Sequence, residues 1–152
     1  MTKSEKAKQN FLNGYNCAQA VALAYCDELK MEPELVARLS SGFGGGLGRM
    51  REVCGSVSGA VMVLSYLYGY SDPKSFSQKK ELYQTVQEFC KAFEKENGSI
   101  ICRELLGLTS PGADSPTPEK RCGAYYKKRP CAELVECSAK LLDELIKGKE
   151  TK

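Results

Sequence analysis

Residues 54–70 read CGSVSGAVMVLSYLYGY. The apolar part, Val57 to Tyr70, is too short to cross a bilayer, which takes about 20 residues. It predicts a helix buried in a protein core, beginning near Arg51 and ending at Gly69. Gly55 and Gly59 stand four apart and therefore share one helix face. Glycine inside a helix costs about 1 kcal/mol relative to alanine, so the pair needs a return. Close approach of a second backbone supplies one. Cys54, beside that face, is then drawn into a crowded interhelical space.

Outward from this segment the apolar spacing is helical throughout. Upstream, residues 3–13 predict a short amphipathic helix ended by Asn13-Gly14. Asn16 reads as the N-cap of a helix running through CAQAVALAYCDELK. Pro33 starts a third helix, which runs to about Ser40. Gly42-Phe43-Gly44-Gly45-Gly46-Leu47-Gly48-Arg49 then breaks regular structure. Downstream, Asp72-Pro73 marks a turn, and residues 75–97 carry Leu82, Val86, Phe89, Cys90 and Phe93 on one face. Gly98 is their C-terminal stop. A short helix spans Ile101 to Leu106, closed by Gly107. The last covers 131–147, with Leu134, Val135, Ser138, Leu141, Leu142, Leu145 and Ile146 inward and Gly148 as its stop. The expectation is an all-α, single-domain antiparallel bundle over 1–152, of about six or seven helices. A glycine-rich loop precedes the buried central helix, and a flexible Pro-, Ser-, Gly- and Asp-rich loop spans 108–121.

The chain has 152 residues and a formal net charge of +3, too weak a charge to indicate a nucleic-acid partner. The basic run Lys127-Lys128-Arg129 reads as a solvated loop. The N-terminus MTKSEKAKQNF lacks the apolar stretch of a signal peptide. The expected location is the cytoplasm, with no membrane partner. Histidine is absent, which removes histidine acid–base catalysis, histidine metal ligation and a Cys-x-x-Cys-His haem attachment. Against these absences stand eight cysteines. In a reducing cytosol structural disulfides do not explain such a surplus. Metal binding, redox work or small apolar packing remain.

Position sorts the cysteines. Cys17, Cys54 and Cys131 fall in the first turn of expected helices, and Cys102 opens a shorter one. Helix N-termini offer free amide donors and a partial positive charge, both of which favour thiolate. Cys26 and Cys90 lie inside helices and read as small core residues. Cys137 follows Cys131 by six residues, off its face. Cys122 reads as a loop thiol. No Cys-x-x-Cys pair occurs, so a thioredoxin-like motif and a zinc ribbon are unsupported. The glycine stretch is not Walker A, since no Gly-Lys-Ser/Thr follows, and no strand precedes it as a dinucleotide fingerprint requires. Gly45 and Gly46 with Arg49 or Arg51 could form an anion nest. A tight-turning loop that lets backbone approach the cysteines is the preferred reading.

These pieces together resemble the C-GCAxxG-C-C family of putative redox-active proteins. The matching stretches are Asn16-Cys17-Ala18-Gln19-Ala20, the glycine stretch 42–49, Cys54-Gly55-Ser56-Val57-Ser58-Gly59-Ala60, Cys102-Arg103-Glu104-Leu105-Leu106-Gly107 and Cys131-Ala132-Glu133-Leu134-Val135. Carried over by the resemblance, the family's four cysteines fall on Cys17, Cys54, Cys102 and Cys131. Ser56 stands where the family pattern has alanine. The resemblance implies redox activity and names no substrate.

Three functions follow as expectations. The first is thiol redox chemistry, in which one low-pKa cysteine attacks a disulfide or peroxide and another resolves the product. Its partner would be a redox protein or a small molecule. The second is a four-thiolate metal site on Cys17, Cys54, Cys102 and Cys131, holding an iron–sulfur cluster or zinc. The third is a non-catalytic helical interaction module. The glycine-faced and loop residues Gly45, Gly46, Arg49, Gly55 and Gly59 are the candidates for contact with a bound group. Self-association is left open. Under either of the first two readings the four thiols should converge, with the other cysteines apart from them.

Overall fold

Nine α-helices and one 3-10 turn make up the described residues, 1–109 and 112–151, of the computed structural model, and no strand occurs among them. In chain order the helices are α1 (Lys3–Leu12), α2 (Cys17–Leu23), α3 (Cys26–Leu29), α4 (Pro33–Ser40), α5 (Gly55–Tyr68), α6 (Phe76–Asn97), α7 (Cys102–Leu105), α8 (Gly123–Lys128) and α9 (Cys131–Glu150). The 3-10 turn is Ser41–Phe43. Two helices are started by reciprocal side-chain caps, Thr2 with Glu5 and Asn16 with Gln19, which satisfy amide donors that the first turn leaves unpaired.

The helix count exceeds the expected six or seven for identifiable reasons. The helix read through 17–30 is two, α2 and α3, with Tyr25 between them outside helical geometry. The break is stabilised from outside the segment. Lys3 Nζ donates to the carbonyl of Ala24 (3.1 Å), and the buried Tyr25 hydroxyl donates to Ala139 O (3.3 Å). Cys26 consequently opens a helix instead of lying inside one. A second addition is α8, which replaces the solvated loop expected around 127–129. Arg129 is buried, and the side chains of Lys127 and Lys128 lie outside the described residues. The expected stop at Gly148 is passed by α9, which runs to Glu150. Of the loop expected at 108–121, residues 112–121 are without helix, and 110 and 111 lie outside the described residues.

The central helix is α5. It packs against α2, α6 and α9, while α1 lies across α2 and α9. Val57, Ala60, Val63 and Leu64 from α5 meet Phe89 and Phe93 from α6 and Val135 and Leu142 from α9 in the core. The tightest crossing is α2 on α5. A Cβ added at Gly59 would stand 2.6 Å from Ala18 O, and one at Gly55 would stand 2.9 Å from Phe43 O. The two glycines are where the sequence placed the close approach.

Helix α5 begins at Gly55, not near Arg51, because residues 51–54 are engaged elsewhere. Cys54 N–H donates to Ile100 O (2.8 Å), Cys102 N–H to Glu52 O (2.6 Å) and Arg103 N–H to Arg51 O (3.2 Å). Together they form a short antiparallel contact around the single Val53–Ile101 bridge. It ties the start of α5 to the start of α7.

Candidate functional site

Cys17, Cys54, Cys102 and Cys131 all line one cavity of about 70 Å³. Each arrives by a different route. Cys17 is the first residue of α2, fixed by the Asn16 cap, whose Nδ2 also donates to Ser41 O (2.9 Å). Cys54 is the N-cap of α5, one position before the helix instead of inside its first turn. Cys102 opens α7 and is carried to Cys54 by the backbone contact just described. Cys131 opens α9 directly after the Arg129-Pro130 corner. The other four stay out of the cavity. Cys26, Cys90 and Cys137 are half-buried, so Cys26 and Cys90 are not fully enclosed core residues, and Cys122 is exposed. Cys90 faces an apolar groove between α5 and α6, and Cys137 accepts from Asn97 Nδ2 at 3.5 Å.

The glycine stretch forms one wall. Gly45, Gly46, Leu47, Gly48, Arg49 and Arg51 all have left-handed backbones, with φ between 56° and 70°. For Leu47, Arg49 and Arg51 this conformation costs roughly 1–2 kcal/mol each, so the strain is gathered beside the cysteines. Gly46 lies against Cys102, where a Cβ would approach that of the cysteine to 2.7 Å. Gly55 lies against Cys17, at 3.1 Å by the same measure. The amides of residues 47, 48, 49, 51 and 52 turn back onto the carbonyls of residues 42–46. Donors already used in this way are not free to cradle a phosphate; the amides of Gly45 and Gly46 are not among them. Of the other expected contact residues, Gly45, Gly46 and Gly55 line the cavity, whereas Gly59 is at the α2 crossing and Arg49 lies in a neighbouring hollow.

The four thiols are electrostatically unequal. Cys131 is held below the ordinary thiol range by the neighbouring Cys17 thiol and by Arg129, Arg51 and Arg121, against the opposing effect of burial. Cys17 is pushed up by the neighbouring Cys131 and by burial. Of these two neighbours, Cys131 is the one whose thiolate is favoured and Cys17 the one whose thiolate is disfavoured. Burial pushes Cys54 up to about 11, although the Ser56 hydroxyl, 3.1 Å from its Sγ, works in the other direction. Burial also raises Cys102, partly offset by Arg51, whose Nη1 donates to its sulfur at 3.7 Å. Among the described residues no three Cys, Asp or Glu side chains are arranged to hold a metal ion.

Sequence reasoning missed Arg121, Arg129 and Tyr125 as neighbours of the thiols. Arg121 and Tyr125 line the cavity, and Arg129 lowers Cys131 from its side. The signal was the cluster of cations just before Cys131, a position that favours a thiolate at the following helix start.

Residues 15–145 match the family model described as "Putative redox-active protein (C_GCAxxG_C_C)". An uncharacterized protein of Archaeoglobus fulgidus is 26% identical over 163 aligned residues, covering 99% of this chain and 100% of that protein. No solved structure matches. Among the described residues no helix is long and apolar enough to cross a membrane. With the family model covering most of its length, the chain belongs to the C-GCAxxG-C-C family of putative redox-active proteins.

Proposed function

We propose that this protein is a dithiol–disulfide redox protein in which Cys131 attacks and Cys17 resolves. One observation carries the reading. The four family cysteines line a single cavity, and Cys131 borders both it and the arginine-lined hollow outside. A thiolate is the nucleophile in disulfide exchange, and arginines favour it. Cys17, by contrast, borders only the inner cavity.

The balanced step is thiol–disulfide exchange. Cys131 thiolate attacks one sulfur of a disulfide, a Cys131–S bond forms, the substrate S–S bond breaks, and the first thiolate departs with the electron pair. Cys17 loses its proton to the second departing sulfur and attacks Cys131 Sγ. The protein becomes a Cys17–Cys131 disulfide and the substrate one thiolate and one thiol, a two-electron transfer. A dithiol reductant returns the protein to its starting state. The cavity is small, about 70 Å³. The body of a substrate stays outside it. Cys54 and Cys102, both protonated under this scheme, complete the cavity wall.

The test is a titration of the anaerobically purified, reduced protein with the neutral disulfide 4,4′-dithiodipyridine. One equivalent should remove two thiols per chain and yield a Cys17–Cys131 bridge, mapped by peptide mass spectrometry and reversed by dithiothreitol. Cys17→Ala should stop at a mixed disulfide on Cys131. Scattered modification without that bridge rejects the reading. Stoichiometric iron with acid-labile sulfide, or zinc, would replace it with the metal-site alternative.

A further inference from the structure

Outside the thiol cavity the surface opens into a hollow of about 410 Å³ that shares Cys131, Arg51, Arg121 and Tyr125 with it. Four guanidinium groups line this hollow: Arg49, Arg51, Arg121 and Arg129. Two carboxylates answer them. Asp114 Oδ2 accepts from Arg51 Nε at 2.8 Å and stands 3.9 Å from Arg49 Nη2. Glu119 Oε1 accepts from Arg129 Nη2 at 2.8 Å. Arg121 is held by the main-chain carbonyls of Phe11 and Tyr15 and stacks on the Phe11 ring; among the described residues it has no carboxylate partner. Positive charge therefore exceeds negative charge at the mouth of the thiol cavity.

The two sides of these ion pairs differ in exposure. The arginine side chains of the two short pairs are 7% and 8% exposed, while Asp114 and Glu119 are 41% and 38% exposed. The guanidiniums are fixed in the wall, and the carboxylates reach in from the exposed, helix-free residues 112–120. Arginine forks match carboxylate geometry, and Asp114 and Glu119 occupy them as a substrate's carboxylates would. Lowering the pKa of Cys131 does not require Arg49, which is not among the main causes of that shift. Arg49 also adopts left-handed backbone, φ 65°, to stand where it does, with Nε donating to Ser115 O at 2.7 Å.

Building on the dithiol reading, we propose that this hollow is the subsite for a low-molecular-weight disulfide bearing carboxylates, and that Asp114 and Glu119 are internal stand-ins for its anionic groups. The carboxylates of the substrate pair with the arginines and set one of its sulfurs at Cys131. The bonds made and broken are those of the exchange above. The departing thiolate leaves into a hollow that stabilises negative charge.

Iodoacetate and iodoacetamide test this in the full chain, because they differ in charge and little in size. Both meet the same thiolate fraction at Cys131, so the ratio of their rates reads attraction of the anion alone. Alkylation is followed at Cys131 by peptide mass spectrometry, with N-acetylcysteine amide as the reference thiol. The iodoacetate-to-iodoacetamide ratio at Cys131 should exceed the reference ratio by about tenfold or more at low ionic strength and fall as salt is added. The exposed double change Asp114→Asn with Glu119→Gln should raise the ratio further, and Arg49→Gln should lower it, with far-UV circular dichroism confirming the fold of each. A ratio equal to the reference, with Cys131 still reactive to iodoacetamide, overturns the anionic subsite and leaves the dithiol reading standing. A Cys131 that reacts with neither reagent overturns both.

Discussion

The two ends of the α2–α5 crossing use the same small residues to opposite effect. At Gly59 the helices touch, and the space a Cβ would occupy is taken by the backbone of Ala18. One turn earlier, around Cys17, Cys54 and Gly55, the same close approach borders a cavity that the glycine loop and α9 wall off without filling. Close backbone approach thus does two things here. It locks a crossing where both partners are small and continuous, and it leaves room for chemistry where one helix begins and the chain turns away. Cysteine suits the second place because it is small enough for a crowded helix start and reactive enough to use it.

The sharpest way to break this contrast is at the closed end. Gly59→Leu would set a side chain against Ala18 O and should destabilise the protein by about 3 kcal/mol or more, read as the shift in denaturant midpoint. An unchanged midpoint would mean the crossing is not tight.

At the open end the effect should be smaller and depend on pH. Cys54 ionises at about 11 in the folded protein and near the ordinary thiol value when unfolded. Between roughly pH 9 and 11 the unfolded chain gives up this proton while the folded one keeps it, so stability falls as pH rises, by roughly 2–3 kcal/mol across the window, and is fully present below it. Cys54→Ala should flatten that part of a stability-against-pH curve. Identical alkaline slopes for the two proteins would show that the cavity wall at Cys54 is wet.

Smallest of all should be the effect outside both ends. Cys122 is exposed, and Cys122→Ser should change stability by less than about 0.5 kcal/mol and leave the dithiodipyridine titration at two thiols per chain. A loss of that stoichiometry would draw Cys122 into the redox cycle and dissolve the division between the two sets of cysteines.

Much of this division was legible before folding was considered. Cys17, Cys102 and Cys131 are helix-opening residues in the structure as in the sequence, and Cys54 differs only by standing at the cap. Cys26 was misread because the break at Tyr25 depends on Lys3 and Ala139, residues far away in the chain. The Val53–Ile101 bridge was equally invisible, since one bridge leaves no alternating pattern to read.

The sequence by itself determined the helical class, the glycine face of α5 and that Cys17, Cys102 and Cys131 open helices, because periodicity, capping and backbone sterics act over a few residues. Only the tertiary structure decided that four of these thiols share one cavity, that Cys131 and Cys17 are shifted in opposite directions, and that arginines from residues 49–51 and 121–129 gather around them. Those outcomes depend on charges and sulfurs brought together from distant parts of the chain. A thiol's ionisation is set by what lies within a few ångströms in space, which no local pattern records.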